Sequence, residues 1–262
     1  RGLDVVPQQL TKNPDEFVWA ARLLADMGYR EVNLNLGCPS RTVTAKGKGS
    51  GFLGHLEQLE AFLEDVCARS PLPISVKTRA GVHDDAEFEQ VLGLYCRYPL
   101  CELIVHPRVQ SDLYRGIPRQ ELYGRALARA PFPVAYNGDL FSSEDVASLA
   151  SRYRGTRHVM LGRGLLANPA LARMVGGGPA ATREELRRFH DALFSAYEEE
   201  MGGNAVARMK EWWSYAKFAF AAPAAVQRAL RKARRVDEYQ SAVCRVFGEQ
   251  ELAEVARYLP GK

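Results

Sequence analysis

The residues best equipped for chemistry lie together near the front of the chain, in Val32-Asn33-Leu34-Asn35-Leu36-Gly37-Cys38-Pro39-Ser40. Val32 to Leu36 alternates apolar and polar, which predicts a strand with Asn33 and Asn35 on one face. Gly37 and Pro39 break that strand and put Cys38 in the turn beyond its C-terminal end, where α/β folds keep their reacting groups. A thiol in such a turn can attack as a nucleophile or give up a proton. No Cys–His pairing is identifiable, so the nucleophile lacks a partner base. The run Lys46-Gly47-Lys48-Gly49-Ser50-Gly51 offers backbone N–H groups and two ammoniums, suited to a phosphate or a nucleic-acid backbone. Taken alone, a lone cysteine in a turn reads as inert and a glycine–lysine loop as solvated.

The elements that must carry these residues alternate strictly. A strand is expected over Leu3–Leu10. A helix follows from Pro14, capped by Asn13 and closed by Gly28. Further strands are expected up to Leu36, over Pro71–Thr78, Cys101–His106, Pro133–Asn137 and His158–Leu161. Helices are expected near Leu56–Ala68, Asp84–Tyr98, Pro118–Ala130, after Ser142, and after Asn168-Pro169. Six β–α units imply a parallel sheet with helices outside. Polar residues recur after nearly every strand: Asn35 and Cys38, Lys77 and Arg79, His106 and Arg108, Asn137 and Asp139, Arg163. That one-sided placement predicts a (β/α)8 TIM barrel, whereas a doubly wound sheet concentrates such residues at one switch point. Gly176-Gly177-Gly178-Pro179 reads as a hinge-like linker. Beyond it a capping box, Thr182-Arg183-Glu184-Glu185, opens a purely helical stretch. There Val206–Phe220, Ala224–Arg235 and Val243–Tyr258 are the expected later helices of a small bundle. The expected domains are therefore residues 1–175, a barrel, and 180–262, a helical domain.

Composition bounds the function. A chain of 262 residues is long enough for one large α/β domain with an appendage. No run long enough for a membrane span is present, and no signal peptide is visible. Five cysteines without a C-x-x-C pair argue for a reducing, cytoplasmic setting and against zinc or an iron–sulfur cluster. A net charge of +4 permits an acidic partner without requiring one. The face of Ala224–Arg235 that carries Arg228, Arg231, Lys232, Arg234 and Arg235 is strongly basic.

The cysteine segment, continued through Thr42-Val43 and Lys46-Gly47-Lys48-Gly49-Ser50-Gly51-Phe52-Leu53, resembles the active-site segment of the tRNA-dihydrouridine synthases. These are flavoenzymes that reduce uridine in tRNA. The resemblance covers nearly the whole chain and is strongest over Gln8–Gly51 and Val134–Asn168. It implies two further β–α units before the point where this chain starts, so about the first quarter of the natural protein is expected to be missing here. It implies flavin mononucleotide as cofactor, with Gln8, Lys77, His106, Asn137, Gly138, Asp139, Gly162 and Arg163 at the positions of the family's flavin ligands. Such a cofactor needs donors and cations at its phosphate and a cation at its N1/O2 edge. Gly162-Arg163 suits the first and Lys77 the second.

By the same resemblance Cys38 is the general acid, Asn35 holds the uracil edge, and NADPH serves as transient reductant with no Rossmann fingerprint required. Arg208-Met209-Lys210-Glu211-Trp212-Trp213-Ser214-Tyr215, with Arg231, is similar to a segment of the bacterial C subfamily, which acts at position 16 of the tRNA D-loop. Arg208, Lys210, Tyr215 and Arg231 would then orient tRNA, helped by Tyr114, while Trp212 and Trp213 belong to the core. Pro107 stands where glycine is usual, and Ala80-Gly81-Val82-His83 lacks the usual aromatic. A monomer without metal is expected. Two rival readings remain: a flavin oxidoreductase acting on a small free substrate, and a tRNA-binding relative that has lost catalysis.

Overall fold

The computed structural model describes residues 4–259. Six strands form one parallel sheet in sequence order: β1 (Gln8–Gln9), β2 (Val32–Leu36), β3 (Ile74–Arg79), β4 (Glu102–His106), β5 (Val134–Asn137) and β6 (His158–Met160). Consecutive parallel order with a helix in each crossover is the wall of a (β/α)8 barrel; a doubly wound sheet would reverse its order at a switch point. The first strand is shorter than Leu3–Leu10 suggests. Among the described residues only Gln8 and Gln9 pair, with Asn33 and Leu34 of β2, and Leu3 lies outside those residues.

The chain divides into two compact units, Arg1–Gly138 with Arg152–Met160, and Asp139–Ser151 with Leu161–Lys262. The first holds all six strands with α1 (Pro14–Asp26), α2 (Arg41–Thr44), α3 (Leu56–Arg69), α4 (Glu87–Tyr95) and α5 (Gln120–Arg129). Asn13 caps α1 as expected, its Oδ1 accepting the N–H of Asp15 at 2.9 Å and of Glu16 at 3.4 Å. Phe17 of α1 meets Phe62 of α3 edge-on at 5.8 Å, and Phe62 meets Phe52 at 5.6 Å. These rings close the outer layer over the strands.

Register sets the inward rows. Gln8 pairs with Asn33 and Asn33 with Ser75; one step further Asn35 pairs with Lys77; one more step brings Arg79 beside His106. A side-chain period of two puts these residues on one face, rising row by row towards the C-terminal strand ends. The polar groups thus accumulate at the end of the strands from which Cys38 also projects.

The second unit contains α6 (Ser143–Arg152, whose last residue falls in the first unit), α7 (Arg163–Ala167), α8 (Leu171–Val175), α9 (Arg183–Met201), α10 (Ala205–Ala216), α11 (Pro223–Arg231) and α12 (Val236–Glu249). The capping box opens α9: Thr182 Oγ1 accepts from Glu185 N–H at 3.2 Å, and Glu185 Oε2 from Thr182 N–H at 2.9 Å. The last helix runs earlier than Val243–Tyr258. After Glu249 the chain is extended, because its backbone pairs with residues before α11: Ala221 N–H with Glu251 O, and Ala253 N–H with Ala219 O, both at 2.9 Å. None of the described helices is long and apolar enough to cross a membrane.

Trp212 and Trp213 lie in the core of this unit, as expected. Trp213 Nε1–H donates to the Tyr239 hydroxyl at 2.8 Å. That hydroxyl lies 2.7 Å from His190 Nε2, and His190 Nδ1 lies 2.8 Å from Asp191 Oδ1. Indole only donates and carboxylate only accepts, so the chain of protons runs from Trp213 through Tyr239 to a neutral His190 protonated on Nδ1. Burial holds the His190 imidazole below its ordinary range, reinforcing the neutral form. Tyr239→Phe strands the buried indole N–H and should cost about 1–3 kcal/mol of stability, read by denaturant unfolding.

Candidate active site

Cys38 sits in a turn built by Asn35. The Asn35 Oδ1 accepts the N–H of Gly37 at 3.0 Å and of Cys38 at 2.9 Å, the local closure that asparagine favours at a strand end. Its amide in turn donates to Gln8 Oε1 at 2.7 Å. Gln8 Nε2 donates to Asn33 Oδ1 at 2.7 Å, and Asn33 Nδ2 to Ser75 Oγ at 2.8 Å. One chain of side-chain amides therefore runs along the strand ends to the cysteine. Asn35 and Gln8, expected as substrate and flavin ligands, are first of all members of this chain. Each keeps one amide proton beyond the bonds named.

The glycine–lysine run is not an open phosphate loop. Five of its six N–H groups are spent inside the protein: Lys46 and Lys48 donate to Val43 O, Gly47 to Thr44 O, Ser50 to Cys38 O and Gly51 to Lys48 O. Gly49–Gly54 forms a 3-10 helix. Gly49 has φ of +58°, and a Cβ there would stand 2.7 Å from the Cys38 carbonyl oxygen. Only glycine lets the run lie so close under the cysteine turn.

Around Cys38 the first unit gathers cations. Lys77 is half-buried, and its ammonium is pulled down to about 8, first by burial and then by the charge of Arg79, with Cys38 acting in the opposite sense. Arg79 is only 1% exposed. It donates through Nε to Gly37 O at 3.1 Å and through Nη1 to Val109 O at 2.8 Å. Its guanidinium also stands 5.5 Å from the Tyr114 ring centroid. Burial lowers the Arg79 pKa, yet an arginine keeps its proton. Arg108, also buried, donates to the carbonyls of Arg115 and Gly116 and reaches His106 Nε2 at 3.2 Å. An arginine cannot accept, so His106 Nε2 does, and the ring carries its proton on Nδ1. Tyr114 itself is exposed, 6.4 Å from the His106 ring.

Asn137 and Gly138 complete this unit's set. Asn137 Nδ2 donates to Met160 O at 2.8 Å, pinning β6. Gly138 has φ of +152°, and a Cβ would come within 3.4 Å of Pro118, the Tyr136 hydroxyl and His106. Arg79, Arg108 and Ser50 were not singled out as ligands by sequence reasoning, although the first two are visible there as strand-end cations. Ser50 gave no signal beyond its place in the run.

In the second unit Asp139, at φ of +44°, pairs with Arg163, Nη2 to Oδ1 at 2.7 Å. Gly162 precedes α7, and no atom lies within 4 Å of where its Cβ would be. The expected RNA ligands lie on α10 and α11. Arg208 pairs with Glu211. Lys210 donates to the carbonyls of Arg231, at 3.1 Å, and Ala233, so it caps the end of α11. The Tyr215 ring packs 5.3 Å from that of Tyr258, and Arg231 is exposed at the end of its helix.

The dihydrouridine synthase (Dus) family model matches residues 4–256. A probable tRNA-dihydrouridine synthase of Staphylococcus epidermidis is 31% identical over 193 residues, covering 71% of this chain and 59% of that protein. The chain thus spans less than two thirds of that relative's length. The tRNA-dihydrouridine(16) synthase of Neisseria meningitidis serogroup B is 27% identical over 252 residues, covering 92% of this chain and 75% of that protein. Among solved structures, Proteus mirabilis N-acetylneuraminate lyase superposes with a TM-score of 0.44 at 12% identity, over 88% of this chain and 90% of that one, a likeness too slight to bear on chemistry. The cysteine motif that suggested a resemblance lies within a match running from one end of the described chain almost to the other, and the chain belongs to the dihydrouridine synthase family.

Proposed function

We propose that this chain carries the catalytic residues for reducing a uridine of the tRNA D-loop to 5,6-dihydrouridine, with Cys38 as proton donor. The observation that carries the reading is the Cys38 turn, held by Asn35 and set beside Lys77 and Arg79. Saturating the 5,6 double bond of uracil takes a hydride at C6 and a proton at C5. When bound, flavin mononucleotide supplies the hydride and NADPH replenishes it. Cys38 gives the proton from Sγ, acting as the positioned general acid. Asn35 keeps one amide N–H for the base while its oxygen holds the turn.

The donor set of the first unit fits a flavin ring. Lys77 offers an ammonium to the electron-rich N1/O2 edge, Gln8 and Asn137 offer amides, and His106 a neutral imidazole. Gly138 lets the backbone pass beside the His106 ring, where a Cβ would press on Pro118, Tyr136 and His106. Within the second unit, Asp139 paired with Arg163, and the open backbone at Gly162, make a donor set suited to a phosphate, as the resemblance implies. Residues 1–175 are the flavin-binding domain in this reading and 180–262 the RNA-binding domain. In the latter Arg208, Tyr215 and Arg231 meet tRNA and Lys210 supports them by capping α11; Tyr114 assists from the first unit. Position 16 is favoured because one relative bears that site in its name and the segment Arg208–Tyr215 resembles that subfamily.

The chain, incubated with flavin mononucleotide, NADPH and tRNA lacking dihydrouridine, should convert one uridine. Nucleoside mass spectrometry would register a gain of two hydrogens, and mapping would place it at position 16. A chain that takes up no flavin, or binds it without touching tRNA, overturns the reading.

A further inference from the structure

The Cys38 carbonyl oxygen takes two hydrogen bonds from one residue, Ser50: the backbone N–H at 3.0 Å and the hydroxyl at 2.9 Å. Ser50 has no exposed surface. Its Oγ also stands 3.2 Å from the side-chain Oε1 of Gln110, sixty positions along the chain. One hydroxyl proton cannot serve two acceptors at once. With that proton on the Cys38 carbonyl, the Gln110 amide must present its NH2 group to Ser50 Oγ, and a half-turn of the amide does this without moving any heavy atom far. The bonds then run in one sense, from Gln110 N–H to Ser50 Oγ and from Ser50 O–H to Cys38 O, each polarising the next.

Gln110 is itself anchored, its backbone N–H donating to Gly81 O at 2.9 Å. Its neighbour Val109 accepts from Arg79, which donates to Gly37 O. The segment after β4 therefore grips both peptide carbonyls of the cysteine turn, Gly37 through Arg79 and Cys38 through Ser50. Fixing the peptide on either side of Cys38 fixes its Cα–Cβ direction, and so limits the thiol to the few staggered positions about that bond.

We infer that Ser50 and Gln110 are positioning residues for the Cys38 thiol, acting through its carbonyl oxygen. The inference rests on Cys38 being the proton donor. It is tested on the full chain by the alkylation rate of Cys38 with iodoacetamide, followed on the Cys38 peptide by mass spectrometry, a readout that needs neither cofactor nor tRNA. Gln110→Leu should change that rate by about three- to tenfold, Ser50→Ala likewise, and the double variant no further than the larger single change. Gln110→Glu discriminates most sharply. A carboxylate can only accept, so it draws the Ser50 proton off the Cys38 carbonyl and should behave like Gln110→Leu.

In turnover, the same variants should lower kcat for dihydrouridine formation while leaving the dissociation constant for tRNA unchanged. Should Ser50→Ala fail to fold, the half-buried Gln110 variants carry the test. Alkylation within about twofold of wild type in folded Gln110→Leu and Gln110→Glu overturns the positioning role, even if Cys38→Ala is inactive. Full activity in Cys38→Ala instead removes the acid itself and the catalytic meaning of the inference with it.

Discussion

Cys38→Ala is expected to lower dihydrouridine formation by about 10²–10⁴-fold, the contribution of a positioned general acid, while the protein stays folded. The turn does not depend on the thiol. Its N–H is held by Asn35 Oδ1 and its carbonyl by Ser50, and none of these bonds involves Sγ. The loss is therefore chemical and not conformational. Alanine removes the proton but keeps the backbone, so tRNA affinity should stay within about twofold of wild type and the melting curve should barely move. Cys38→Ser retains a hydroxyl, a far weaker acid than a thiol, and should recover little of the rate. Nucleoside mass spectrometry of tRNA after single-turnover incubation measures the first effect, and filter binding the second. A Cys38→Ala protein that reduces uridine at the wild-type rate means that the proton comes from elsewhere, and the exposed Tyr114 would be the next group to replace.

The cysteine turn was legible because its signals are local. Strand alternation over Val32–Leu36, the breakers Gly37 and Pro39, and the Asn13 cap of α1 each act over a few residues, and each is found where the sequence puts it. What surrounds the turn was not legible, because its partners are distant. Arg79, Val109 and Gln110 meet the turn only once the parallel register sets β2, β3 and β4 side by side. No spacing rule links Ser50 to Gln110. The glycine–lysine run misled for a related reason: glycine reads as freedom, yet Gly49 is required for a close packing that leaves no freedom. Lys210 has a partner that no local pattern shows. The resemblance brings it in as a residue that orients tRNA; the structure adds that the last carbonyls of α11 need a donor and its ammonium supplies one. At both termini, the extent of the elements was set by pairing partners that local patterns do not show. β1 pairs for only two residues, and the chain after Glu249 joins residues 219–221 instead of continuing its helix.

Lys77→Met is expected to weaken flavin binding and to slow reduction of uridine by about 10²-fold, the scale of removing one aimed charge from a sheltered site. The sign of the pH dependence follows from the direction of the shift. Burial lowers the Lys77 pKa from 10.5 to about 8. The ammonium is therefore mostly charged at pH 7, half charged near pH 8 and neutral well above it. A contribution that needs the charge is complete on the acid side and fades as pH rises through about 8. Flavin affinity, measured by fluorescence titration between pH 6 and 10, should show that alkaline decline in the wild-type chain and none in Lys77→Met. Lys77→Arg separates charge from shape. A guanidinium keeps its proton throughout this range, so the decline should vanish while some affinity is retained. An affinity flat across pH 8 in the wild-type chain would take Lys77 out of contact with the ring edge and leave it as a half-buried cation of the strand ends, beside the buried Arg79 and Arg108.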